Sequence, residues 1–176
     1  IRYLNCTTRL SHNDLKSLNT YFNALITLKN AHRPSTFANM KLKEFQKPIR
    51  ITTVNGDAKL SVGVVDHKTA TTQLATVSFT ECQYNEITKD IANIRPRFAK
   101  IHGPSNVFLN RNGKKIFNPT SDLQSWQAFL GLPRITSTDA RNAYETKSYE
   151  FLDPQQRHCV ANYLAHSVGK ANDNYV

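Results

Sequence analysis

The sequence predicts an α+β domain in which helices dominate, and three observations carry that expectation. Apolar residues recur at helical period from Leu15 to Ile26, at period two between Ile49 and Phe79, and at helical period again from Tyr84 onward. No repeat, low-complexity tract or Pro/Gly/Ser-rich linker divides the 176 residues, so residues 1–176 read as a single domain. A domain of that length buries about 70% of its unfolded surface and requires neither disulfide nor metal staples.

The first helix opens at Ser11, which has Asp14 at capping-box spacing. It carries Leu15, Leu18, Phe22, Leu25 and Ile26 on one face and should end near Asn30. Pro34 suits the first turn of a second, short helix running through Phe37 and Met40 to about Glu44, which places Arg33 at a helix-to-helix junction. Three antiparallel strands follow, marked by Ile49 and Ile51, by Leu60, Val62 and Val64, and by Val77 and Phe79. Asn55-Gly56 forms the first turn and Asp66-His67-Lys68-Thr69 the second, with Lys68 at the tip of the hairpin.

A helix with Tyr84, Ile87, Ile91 and Ile94 stops before Pro96. A mobile stretch leads to the apolar run Val107-Phe108-Leu109, the turn Asn112-Gly113, and a helix carrying Leu123, Trp126, Phe129 and Leu130. Another helix runs from about Thr136 to Tyr149. The next starts with Asp153 as N-cap and Pro154 at its first position, and a short one begins near Gly169.

Lys and Arg outnumber Asp and Glu by 23 − 13 = +10, which makes nucleic acid the first candidate partner. The cations form short concentrations at Lys41, Lys43 and Lys47, at Arg95, Arg97 and Lys100, and at Arg111, Lys114 and Lys115. That spread suits a folded basic surface better than a disordered arm. Of these, Lys41, Lys43, Arg111, Lys114 and Lys115 are the candidate DNA contacts. No stretch approaches the roughly 18 apolar residues of a membrane span, and the first residues lack the order of a signal peptide, so the expectation is a soluble, non-secreted protein. Cys6, Cys82 and Cys159 are widely spaced and odd in number, which suggests a reducing compartment and proposes no zinc site.

The chemistry-bearing residues fall in a recognisable order. Arg33 lies in Ala31-His32-Arg33-Pro34, Lys68 on the second hairpin turn, Arg141 in Thr138-Asp139-Ala140-Arg141, and His166 in Leu164-Ala165-His166-Ser167, with Tyr175 nine residues beyond the histidine. This series resembles the tyrosine recombinases and integrases across essentially the whole chain. The stretches around His67-Lys68-Thr69 and Arg95-Pro96 resemble the crypton-type recombinases of eukaryotic mobile elements in particular.

The resemblance implies the tyrosine recombinase catalytic-domain fold and metal-independent DNA breakage and rejoining, with no cofactor. It implies Tyr175 as the nucleophile forming a 3′-phosphotyrosyl bond. Arg33 and Arg141 would clamp the phosphate, His166 would donate a further hydrogen bond to it, and Lys68 would protonate the leaving 5′ oxygen. Double-stranded DNA would be the partner, in a homo-tetramer during synapsis, with a monomer allowed in its absence. The compartment would be nuclear in a eukaryote and cytoplasmic otherwise. An N-terminal DNA-clamping domain and a C-terminal exchange segment are expected to be absent from this chain.

Two positions depart from the family pattern. Thr138 stands where His or Lys usually precedes the second arginine by three, which leaves His67, His102 and His158 open as the base for Tyr175. Thr36 replaces the acidic residue that usually follows the first arginine. Three readings therefore remain: a site-specific recombinase or integrase, a type IB topoisomerase-like domain, and a domesticated DNA-binding descendant that no longer cleaves. Singly, each residue has an ordinary role as well: a salt-bridged arginine, a solvated turn lysine, a helix-capping histidine or a terminal packing tyrosine.

Overall fold

The computed structural model describes residues 11–53, 56–66 and 74–164. Among them the chain forms helices α1 (His12–Ala24), α2 (Pro34–Asn39) and α3 (Leu42–Phe45), then strands β1 (Ile49–Thr52), β2 (Ala58–Val64) and β3 (Ala75–Thr80). Helices α4 (Glu81–Lys89), α5 (Pro119–Phe129), α6 (Ser137–Phe151) and α7 (Pro154–Tyr163) follow. The sheet is antiparallel in the order β1-β2-β3.

α1 starts where the capping box places it. Ser11 Oγ accepts from the Asp14 amide at 3.2 Å, and Asp14 accepts from the Ser11 amide at 2.9 Å. Leu15, Leu18 and Phe22 face the core. Past Ala24 the helix widens into a π-helical turn, Leu25–Lys29, that carries the chain to Asn30.

The second helix is broken. Met40 turns extended and its carbonyl accepts from the Val107 amide at 2.8 Å, while the Leu42 amide donates to Ser105 at 2.9 Å. Backbone pairing with residues 105–107 diverts the chain, so α2 and α3 replace one helix from Pro34 to Glu44.

In the sheet, Leu60 pairs with Phe79, Val62 with Val77 and Val64 with Ala75, which puts these residues on the core face. β1 alternates as expected but faces the other way. Ile49 lies opposite Ser61 and Ile51 opposite Lys59, so both isoleucines stand on the outer face and Ile49 is 69% exposed. Register decides this, because a one-residue offset exchanges the two faces of a strand. The first turn needs Gly56 at φ +85°, with the Thr53 amide donating to Asp57 at 2.8 Å. Asn55 lies outside the described residues.

Among the described residues the β2–β3 ladder ends at Val64 and Ala75, and His67, Lys68 and Thr69 of the expected turn lie outside the described residues. The Val65 amide donates to Glu44 Oε1 at 3.1 Å and Asn39 Nδ2 donates to the Asp66 carbonyl at 2.7 Å. Side chains from α2 and α3 thus take the groups that would have extended the ladder.

α4 runs from a Thr80 capping box into a second π-helical turn, Asp90–Ile94, and a 3₁₀ turn at Arg95–Arg97. The stretch expected to be mobile is pinned by Arg95, whose Nε and Nη2 donate to the carbonyls of Asn106 and Pro104 at 2.9 Å each. Val107, Phe108 and Leu109 are buried without forming a strand, and Phe108 stacks on Phe37 at 4.4 Å. α5 buries Leu123 and Gln127, while Phe129 at its end is 84% exposed and Leu130 is exposed too, against the apolar face read from sequence. α6 and α7 are capped by Thr136 and Asp153.

Candidate active site

Residues 30–33 link the π-helical turn to α2 and are held from three directions. Ala31 has φ +52°, a left-handed conformation that costs a non-glycine residue about 1–2 kcal/mol. Asn30 Nδ2 donates back to the Leu25 carbonyl at 2.8 Å, and the His32 amide donates to Ile26 at 3.2 Å. The buried His32 ring places Nε2 2.9 Å from the Thr76 carbonyl of β3. Its other neighbour is the Tyr163 ring at the end of α7, 5.0 Å away, whose hydroxyl donates to Asn30 Oδ1 at 3.0 Å. Tyr144 of α6 donates to the Lys29 carbonyl. Helix, sheet and C-terminal helices therefore converge on this junction, and Arg33, half-buried, is its last residue and the N-cap of α2.

Arg141 enters from α6 and is only 6% exposed. Nη1 donates to the Ala31 carbonyl at 3.3 Å and Nη2 to the Leu164 carbonyl at 2.8 Å, so the guanidinium bridges the strained junction and the residue that follows α7. Burial, reinforced by the positive charge of Arg33, pushes its pKa from 12.5 down to about 10, while Glu145 one turn along α6 pulls it the other way. Arg141 stays protonated at neutral pH. The positive charge of Arg33 thus acts on Arg141, with the Glu145 carboxylate offsetting part of it.

Other expected residues are placed differently. Thr138 is exposed on the first turn of α6. Lys68, His166 and Tyr175 lie outside the described residues, as does His67, whereas His102 and His158 are exposed. Lys41 Nζ lies 3.4 Å from Asn106 Oδ1, Lys43 is exposed on α3, and Lys115 pairs with Leu109. Arg111 and Lys114 line one groove with Arg97 and Lys100. Gly113 joins these two basic stretches: at φ +68° it lies so close to residue 98 that a Cβ would stand 2.2 Å from the Phe98 carbonyl oxygen.

Sequence reasoning passed over His32, Glu145 and Tyr163. Only helical spacing ties Glu145 to Arg141, and nothing local signals the other two. Among the described residues no cluster of His, Cys, Asp and Glu could hold a metal ion, and no helix is long and apolar enough to cross a membrane.

No protein-family model matches the chain, and no curated protein matches it by sequence. Solved structures do. The XerH site-specific recombinase bound to its difH substrate before cleavage superposes with a TM-score of 0.56 at 15% identity, over 96% of this chain and 45% of that one. The chain has the tyrosine recombinase catalytic-domain fold. The post-cleavage XerH complex on palindromic difH gives 0.57 at 13% identity, covering 96% and 44%. XerA recombinase gives 0.52 at 12% identity, covering 97% and 60%. The chain thus spans less than two thirds of the length of these three recombinase chains.

Proposed function

We propose that the protein is a site-specific DNA recombinase or integrase that cleaves and rejoins duplex DNA through a 3′-phosphotyrosyl intermediate. The observation that carries this reading is the buried Arg141, which donates to the Ala31 and Leu164 carbonyls and feels the charge of Arg33, in a fold shared with XerH and XerA. Tyr175 attacks the phosphorus, the bond to the 5′ oxygen breaks, and Lys68 supplies the proton that oxygen takes up. Arg33, Arg141 and His166 hold the non-bridging oxygens as negative charge builds on them, each such donor being worth about 10²–10³ in rate. Rejoining reverses the steps, with a 5′-hydroxyl displacing the tyrosine. His166 follows Leu164 by two residues, the residue whose carbonyl Arg141 grips. The crypton-like stretches around Lys68 and Arg95 favour a mobile-element role, and synapsis calls for a tetramer.

The exposed hydroxyl of Thr138, in place of a base, favours the second reading, a descendant that binds DNA without cutting it. A pool of nicked duplexes of randomised sequence separates the two. Wild type should become covalently linked to a strand, and Tyr175→Phe should not. No adduct from wild type that still binds the pool would leave the binding-only descendant standing, and equal adduct from Tyr175→Phe would remove Tyr175 as the nucleophile.

A further inference from the structure

Two surface cavities remote from the arginine pair meet edge to edge. One, about 450 Å³, is lined by Arg97, Phe98, Lys100, Arg111, Asn112 and Lys114. The other, about 340 Å³, includes Asn19, Asn110, Asn118 and Phe117, and shares Arg111 and Asn112 with the first. Both volumes suit small-ligand sites of roughly 300–1,000 Å³. The second adjoins α1, and Asn19 is separated from Lys29, just before the Arg33 junction, by about 15 Å of helix.

The chemistry of the two halves is complementary. No carboxylate lines the first groove among the described residues, so four cations face it together. In the second, Asn110 Oδ1 accepts from the amides of Asn112 and Lys114, and Asn118 Oδ1 from that of Ser121. Their Nδ2 groups are left without a protein partner among the described residues. Asn19 is the reverse case: its Nδ2 donates to the Leu109 carbonyl at 3.0 Å, leaving Oδ1 unengaged among the described residues. Asp122, the one acid lining this cavity, lies 3.6 Å from Lys16. Phe117 stands 84% exposed beside these amides.

We propose that this surface binds an unpaired nucleotide of a single-stranded nucleic acid, with the base stacked on Phe117, its edge against the asparagine amides, and its phosphates in the four-cation groove. Cations beside an exposed ring are the elements by which proteins hold single strands. Two amide donors and one acceptor complement the edge of thymine or uracil, which carries two acceptors and one N–H. A duplex presents neither a free base face nor that edge, so the unpaired strand is favoured over the duplex.

The test is fluorescence anisotropy with labelled oligothymidylate against a hairpin duplex of equal nucleotide count. Oligothymidylate should bind about tenfold tighter than the duplex, and Phe117→Ala should lose about tenfold of that affinity. Arg111→Ala should weaken binding and reduce its salt dependence by about 0.7 in log–log slope. Phe117 is exposed, so its variant should keep the wild-type melting temperature, and it should still form the covalent adduct with nicked duplex. Failure here with adduct formation intact removes only this site. Equal affinity for the duplex, or an indifferent Phe117→Ala, would reduce the surface to a backbone grip and overturn the proposal.

Discussion

Replacing Arg141 with alanine sets two effects of similar size against each other. The buried carbonyls of Ala31 and Leu164 lose their donors, at about 1–3 kcal/mol each and so roughly 2–6 kcal/mol together. The same change removes a cation whose pKa has fallen from 12.5 to about 10, a burden on the order of 3 kcal/mol before solvent screening and less after it. That burden is fully present at every pH below about 10, because folded and unfolded chains are then both protonated. The expected net loss is therefore between about zero and about 6 kcal/mol, smaller the less the burden is screened. Arg141, buried and within reach of the charge of Arg33, is a group that a bound anion would stabilise. Inorganic phosphate should accordingly raise the melting temperature of the wild type, and Arg141→Ala and Arg33→Ala should each forfeit that rise. Calorimetry in phosphate and in chloride at matched ionic strength reads both quantities. Equal gains in all three proteins, or an Arg141→Ala chain that does not fold, would refute the reasoning.

Two further outcomes follow from the same coordinates. Gly113→Ala combines a left-handed φ with a backbone collision at Phe98 and should lose about 3 kcal/mol, roughly 6–12 °C in melting temperature, together with oligothymidylate binding; a melt matching the wild type would contradict the close approach. Asp90 is buried, which raises its carboxyl pKa from 3.8 to about 7 against the pull of Arg95. The folded chain then holds a proton that the unfolded chain has released, so stability should fall as pH rises from about 4 to about 7. Asp90→Asn should flatten that slope and melt higher than wild type at alkaline pH, and an unchanged pH profile would show that Asp90 is not its source.

What the sequence discloses about this fold is mostly local. Ser11 with Asp14, Thr136 with Asp139 and Asp153 with Pro154 announce their helices because the capping partners lie within a few residues of each other. The outward turn of Ile49 and Ile51 is not legible, because it depends on which residue of β2 each one faces. Nor is the break at Met40, which is made by residues more than sixty positions away. The arginines show the same division. Arg33 and Arg141 are recognisable from motif order, whereas the carbonyl grip that joins them needs a strained Ala31 and the end of α7 in place. The two basic stretches are visible singly, and only the packing of Gly113 against Phe98 makes them one groove.

The π-helical turn at Leu25–Lys29 gives the site an unusual weak point. Such a turn accommodates one residue more than regular α geometry would. Because the turn absorbs that residue, deleting it would let the helix close in regular α geometry with the chain beyond it little rotated, but the bonds that Asn30 and the His32 amide make back to Leu25 and Ile26 would be lost. Ala31 would then lose the bonds on either side that hold its left-handed conformation and aim its carbonyl at Arg141. Related chains that keep both arginines but lack the extra residue of this turn would have to hold Ala31 by other bonds, so the length between the first helix and Arg33 bears on the site alongside residue identity.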